Sequence, residues 1–168
     1  MQKKISFIDL GKHPITNNFL SVSNPKNEFF YNLKLIFHSE TKLVSLAKFV
    51  SPKKMFNEKY AHRASASKTM QVAYAKLAEL IKKKYKPKSI LEIGSNDGVF
   101  IKHFKGINNL GVEPCKNLAR ITKKMGIKTY DDFWTYKLSK KIIKKHKRFD
   151  IIYSANTISH IHNLDETF

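Results

Sequence analysis

The residues best suited to chemistry stand at 90–98, ILEIGSNDG, where an apolar run enters a glycine turn. In doubly wound sheets such a turn lies between a strand and the helix that follows it. Gly94 lets the backbone pass close to a ligand, and Gly98 lets the start of the next helix pack tightly. Glu113 ends the next apolar run, NLGVE at 109–113. It falls about 20 residues past Gly94, the distance at which such sheets set a carboxylate against ribose hydroxyls. Gly94-x-x-x-Gly98 departs from the Gly-x-Gly-x-x-Gly that cradles pyrophosphate, and Asp97 stands where a phosphate would lie. Carboxylates at this turn suit a nucleoside that is cationic or carries an amino acid. The plainer reading is an ordinary glycine turn in an α/β protein.

Around this turn the sequence alternates strands and helices. A long amphipathic helix is expected from Ser67 to the run Lys82-Lys83-Lys84, with Met70, Val72, Ala73, Leu77, Leu80 and Ile81 at helical spacing and Pro87 as its stop. Strands are expected at 89–93, 109–113, 127–130 and 149–154, and helices from the glycine turn to about Phe104, at 114–125 and at 136–146. This alternation means βαβ units and a parallel sheet. The first sixty residues read as a small β-rich module. It has a short apolar segment at 5–10 closed by Gly11 and Pro14, a loop at 24–27, a hairpin of 29–38 and 42–50, and a short helix capped at Ser51-Pro52. The fold class is therefore α/β, a Rossmann-like sheet of about four strands over 61–168 preceded by the module at 1–60.

Composition narrows the setting. The 168 residues include 32 Lys+Arg against 13 Asp+Glu, a formal charge of +19. Arg63, Arg120 and Arg148 are the arginines, and lysine makes up the rest. Such an excess raises nucleic acid as a partner, yet specific readers of phosphate and base lean on the planar fork of arginine. Compositional bias accounts for the lysines equally well. The lysine-rich stretch 137–147 reads as a solvated helix face. Cys115 is the single cysteine, so no internal disulfide and no cysteine-based zinc site arises from this chain alone. A reducing, cytoplasmic setting fits. No run approaches the roughly 20 apolar residues of a membrane span, and no membrane partner is expected.

The residues E-x-G-S-N-D-G, followed by G-V-E-P, resemble the class I methyltransferases, and among them the deoxysugar C-methyltransferases. Asp9 to Leu20, DLGKHPITNNFL, is similar to that family's D-L-G-x-x-P-x-x-N-x-F-L. Residues 56–67, FNEKYAHRASAS, resemble its Y-x-Y-x-S-S-x-S, with Tyr60 at the first aromatic position and His62 at the second. Asp132-Phe133 looks like the acid–aromatic pair after the third strand, and Asn156 to His160 like N-x-x-x-H after the fourth. The resemblance implies S-adenosylmethionine as cofactor, a molecule both cationic and amino-acid-bearing. It implies that Gly94, Asn96, Asp97 and Gly98 line the methionine end and that Glu92 helps to order it. Glu113 takes both ribose hydroxyls, Asp132 the adenine amino group, Phe133 the ring, and Asn156 lies beside the transferred methyl. Tyr60 and His160 face a nucleotide-linked sugar, and His62 and His162 are structural.

Two departures bear on these expectations. The family's N-terminal module binds zinc through paired cysteines. Here 37–46, FHSETKLVSL, has none, and His13 and His38 alone cannot complete a site. No structural zinc is expected, and the hairpin is expected to hold by packing among Phe29, Tyr31, Leu33 and Leu35. The family also continues beyond the fourth strand to a Tyr-His-Glu-His-like segment carrying its main general base. A truncated form is therefore expected, with low activity, an exposed fourth strand, and a homodimer or a second chain completing the sheet. The rival functions are an RNA methyltransferase and a non-catalytic cofactor-binding fragment.

Overall fold

The computed structural model describes residues 4–20, 28–165 and 167–168. The loop expected at 24–27 lies outside the described residues. The chain divides into two compact units, 1–55 and 56–168.

In the first unit β1 (Lys4–Pro14), β2 (Phe30–His38) and β3 (Val44–Leu46) form an antiparallel sheet in that order. The expected stop at Gly11 is a bulge instead. Gly11 takes φ 77 and donates its N–H to Asp9 Oδ1 at 3.0 Å, the register shifts between Asp9 and Lys12, and the strand continues to Pro14. Asp9 also accepts from Asn32 Nδ2 at 3.3 Å and pairs with Lys34 at 3.6 Å across the ladder. The second strand of the hairpin is shorter than its apolar run. Lys42, at φ 59, belongs to the turn, and pairing begins only at Val44. The packing expected among Phe29, Tyr31, Leu33 and Leu35 buries none of them fully. Ile15 and Val50 are the fully buried apolar residues described in this unit, so it stands on its backbone ladder more than on a core. Helix α1 (Pro52–Met55) closes it.

The second unit carries a parallel sheet of β4 (Ser89–Ile93), β5 (Asn108–Val112), β6 (Lys128–Tyr130) and β7 (Ile151–Ser154), in the order β6-β5-β4-β7. Helices α2 (Lys68–Tyr85), α3 (Lys116–Lys124) and α4 (Tyr136–His146) connect it. All five residues of β4 are buried because both of its faces are covered. On one side Ile90 packs with Phe100, Phe104 and α2's Ala78 and Ile81; on the other Leu91 and Ile93 meet Leu110, Val112 and α4's Leu138 and Ile142. Helix α2 starts where Ser67 Oγ accepts the Met70 N–H and ends at Lys86 in a left-handed conformation. Its buried stripe runs through Tyr74, Leu77, Ala78 and Ile81, whereas Val72 and Leu80 face solvent. At the far end of the sheet Asp150 Oδ2 accepts the Lys88 and Ser89 N–H groups at 2.7 and 3.0 Å, which fixes β7 in register against β4.

One element departs from expectation inside this unit. No α-helix follows the glycine turn; a single 3-10 turn, Ile101–Phe104, takes its place. Gly98 has φ 80, so no right-handed helix runs through it. The lysines of α4 point outward, as expected for a solvated face. No helix among the described residues is long and apolar enough to cross a membrane.

Phe100 is wholly buried between Tyr74, Phe104 and Tyr153 at centroid distances of 5.8, 5.2 and 4.1 Å. Phe100→Ala should destabilise this unit by about 3–5 kcal/mol. Urea unfolding followed by the fluorescence of Trp134, the single tryptophan, reads that loss, and a shift below about 1 kcal/mol would place the core elsewhere.

Candidate functional site

The carboxyl ends of β4, β5, β6 and β7 bring most of the sequence candidates to one edge of the sheet. The loop leaving β4 first folds back on β5, with the Gly94 and Ser95 N–H groups donating to the Val112 carbonyl at 2.8 and 3.1 Å. Gly94 has φ 75, and a Cβ there would collide with the side chain of Thr157. Its missing side chain thus serves the approach of the loop after β7.

Glu113 follows the last residue of β5. Its Oε2 accepts the Asn96 N–H and its Oε1 the Cys115 N–H, both at 2.8 Å. Burial raises this carboxyl above the ordinary glutamate value, and the N–H groups of Cys115 and Asn96 pull it back. The carboxylate therefore pins the glycine loop to the start of α3 and stands at the place expected of the ribose acceptor. Cys115, wholly buried beside it, has its thiol pushed far up by burial and by Glu113, which makes it an inert thiol.

The side chains of Asn96 and Asp97 turn to another segment. Asn96 Oδ1 accepts the Ala64 N–H at 2.9 Å and its Nδ2 donates to the His62 carbonyl at 3.3 Å. Asp97, almost completely buried, accepts from both the N–H and the hydroxyl of Ser65. Both side chains expected at the methionine end of the cofactor are committed to 62–65. Nothing in the local motif reveals this, since the partners lie far back in the chain.

Glu92 lies under the loop within β4. Its Oε2 has no partner among the described residues. Burial, and after it the nearby Glu113 and Asp97, pushes its carboxyl well above the ordinary value. It supports the loop from below.

Asp132, exposed, accepts its neighbour Phe133's N–H at 2.8 Å just past β6, and Phe133 is half-buried. Asn156, exposed with φ 53, follows β7. Tyr60 and His160 do come together, through Phe56, to which the sequence assigns no role. The Phe56 ring sits 5.5 Å from Tyr60 and 5.4 Å, edge-on, from His160, and His62 meets Tyr60 edge-on at 6.4 Å. Helix α3 holds this segment. Asn117 Nδ2 donates to the Tyr60 carbonyl at 2.8 Å, while Lys116 and Arg120 pair with Glu58 at 3.7 and 3.3 Å. The sequence assigns no such task to Asn117 or Arg120; a polar face on α3 is their one signal there.

The strand order places a change of direction between β4 and β7, where open α/β sheets bind ligands beyond their strand ends. Residues 60–168 match the family described as "Methyltransferase domain", and residues 1–56 that described as "Putative zinc binding domain". The chain belongs to the class I S-adenosylmethionine-dependent methyltransferases. It is 23% identical to the C-methyltransferase NovU of Streptomyces niveus over 168 residues, which cover 96% of this chain and 40% of that protein. It also resembles, at 20% identity and a TM-score of 0.41 over 62% of this chain and 44% of that one, the plantazolicin methyltransferase BamL, whose crystal structure holds SAH and a triazolic desmethylPZN analog.

The residues fit the cofactor at Glu113, a carboxylate beside the switch point. They do not fit zinc. Residues 1–56 contain no cysteine. His13 Nε2 is bonded to the Leu10 carbonyl and His38 Nε2 to Ser45 Oγ. Among the described residues no three His, Cys, Asp or Glu side chains are grouped to hold a metal ion.

The state of Glu92 has a measurable consequence. The folded protein keeps that proton at pH values where the unfolded chain has released it, so the folded state binds more protons and stability falls as pH rises past the ordinary glutamate value of 4.5. Glu92→Gln keeps the shape without the ionisation. Its stability profile should be flatter above that pH and exceed that of the wild type at neutral pH; parallel urea midpoints across pH would contradict the assignment.

Proposed function

We propose that this chain binds S-adenosylmethionine across the carboxyl ends of β4 and β5 and serves methyl transfer to a carbon of a nucleotide-linked keto-deoxysugar. One observation carries the reading: the Gly94 turn, Glu113 and the β7 loop meet at the switch point of the sheet. The similarity to a C-methyltransferase along 96% of the chain favours carbon as the acceptor atom. The chain spans 40% of that relative's length, and the activity of the whole protein belongs to this proposal. The sugar rests on the resemblance of the D-L-G, Tyr60 and His160 segments to the deoxysugar enzymes.

The cofactor supplies a methyl carbon made electrophilic by a positively charged sulfur. Glu113 would accept the ribose hydroxyls on the lone pairs left by the Asn96 and Cys115 N–H groups. Asp132 and Phe133 would take the adenine edge and ring, and Asn156 would stand beside the methyl. Tyr60 and His160 face the sugar, with the Phe56 ring between them excluding water. The resemblance implies that the main general base lies in a later segment of the family, so Tyr60 and His160 would orient the sugar while that base removes the proton beside the keto group, and the cofactor would supply the methyl to the resulting enolate carbon as its carbon–sulfur bond breaks. Placement of the two carbons in line supplies much of the rate, and proton removal contributes about 10²–10⁴-fold.

Calorimetry with S-adenosylhomocysteine tests the cofactor site. Glu113→Ala should weaken binding by about 1–3 kcal/mol, the scale for hydrogen bonds to a charged group. Equal affinity in the two proteins would remove Glu113 from the site.

We infer further that the first unit stands without zinc, its hairpin closed by the ladder and by the 2.8 Å bond from His38 to Ser45. Metal analysis of purified protein should find far less than one zinc per chain. About one zinc per chain, retained through mild chelation, would contradict this, because a tetrahedral site needs four ligands.

A further inference from the structure

The segment 60–65 carries Tyr60 and His62 but belongs to no sheet, and its one regular piece is the 3-10 turn Ala64–Ala66. Backbone groups outside a ladder need other partners, and in this segment several are side chains. Asn117 holds the Tyr60 carbonyl, and Asp97 holds Ser65. Asn96 holds the stretch between them. Its Oδ1 accepts the Ala64 N–H at 2.9 Å and its Nδ2 donates to the His62 carbonyl at 3.3 Å, much as an adjacent strand would bond to alternate residues. Its own backbone is also engaged. The N–H donates to Glu113 Oε2 at 2.8 Å and the carbonyl accepts from Thr122 Oγ1 at 3.2 Å. Every polar group of Asn96 thus has a protein partner, and the residue holds φ 48, where asparagine is among the few side chains tolerated.

We infer that Asn96 is a positioning residue rather than a cofactor ligand: it joins the carboxylate of Glu113 to the segment that presents Tyr60. The inference rests on the cofactor reading only for the role of Glu113; the clasp on 62–64 stands by itself. A single residue then links both halves of the reaction. The group that Glu113 holds through its N–H is the group that sets where the Tyr60 segment lies, so cofactor and acceptor sites are aligned by one amide.

Asn96→Gly separates the two roles. Glycine adopts φ 48 freely, so the N–H to Glu113 survives and only the side-chain bonds to 62–64 are lost. In the full chain, amide exchange at Ala64 should become about tenfold faster or more, the scale for losing two hydrogen bonds, while Leu91 and Ile93 in β4 keep their protection. Affinity for S-adenosylhomocysteine should stay within about threefold, well short of the cost of losing a bond to a charged group. In turnover with a keto-deoxysugar nucleotide, KM for the sugar should rise while KM for S-adenosylmethionine holds, a split that general loss of stability does not produce. Asn96→Asp keeps the acceptor for Ala64 and loses the donor to His62, and should fall between wild type and glycine. Unchanged exchange at Ala64 in Asn96→Gly would overturn the inference. So would a loss of S-adenosylhomocysteine affinity of about tenfold with Ala64 still protected, because Asn96 would then touch the ligand itself. Absence of binding by the wild type would fell the cofactor reading alone, and the exchange result would still decide the role of Asn96.

Discussion

A carboxylate taken out of water must be hydrogen-bonded or give up its charge, and Glu113 sits deep enough at the end of β5 for that rule to govern the whole site. It meets the rule by accepting the N–H of Asn96 on one oxygen and that of Cys115 on the other. Those bonds tie the β4 loop to the start of α3, and from these two anchors the structure reaches back to the aromatic segment: Asn96 and Asp97 hold 62–65, while Asn117 holds Tyr60. Glu92, close by but inside β4, has no such pair of donors, and burial pushes its carboxyl well above the ordinary value. Two glutamates with different partners thus do different work, one anchoring the glycine loop and the other supporting it from within β4.

The sheet was legible because parallel strands buried on both faces read as short apolar runs between glycine and proline stops. SILEI, NLGV and the run at 151–154 appear where the sequence places them, in the order third, second, first, fourth. The helix expected after Gly98 appears only as the 3-10 turn Ile101–Phe104, a shortening that composition does not signal. In the first unit, alternation located β2 well, but neither the bulge at Gly11 nor the shortness of β3 follows from hydropathy, since both are set by local turn bonds at Asp9 and Lys42.

Within the site, residue types were more legible than their partners. Glu113 and Gly94 fall where spacing puts them. The carboxylate and amide of Asp97 and Asn96 looked available for a cofactor because the sequence gives no sign that 62–65 folds over them. Ser65 and Ser67, which belong to the segment resembling the sugar enzymes, have structural tasks: Ser65 bonds to Asp97 and Ser67 caps α2. The same held for Asp9 of the D-L-G segment, which braces a bulge and a cross-strand pair. In all three cases a motif residue that invites a chemical reading secures the backbone.

The most direct test is the amide spectrum of isotopically labelled protein titrated with S-adenosylhomocysteine. If Glu113 is the ribose acceptor and the anchor of the loop, the Asn96 and Cys115 N–H resonances should shift together as the hydroxyls share its oxygens. Gly94 should follow them, while core amides such as those of Ile90 and Leu110 stay in place. Shifts confined to the lysine-rich groove of α2 around Lys76, Leu80 and Lys83, with Asn96 and Cys115 unmoved, would contradict the account.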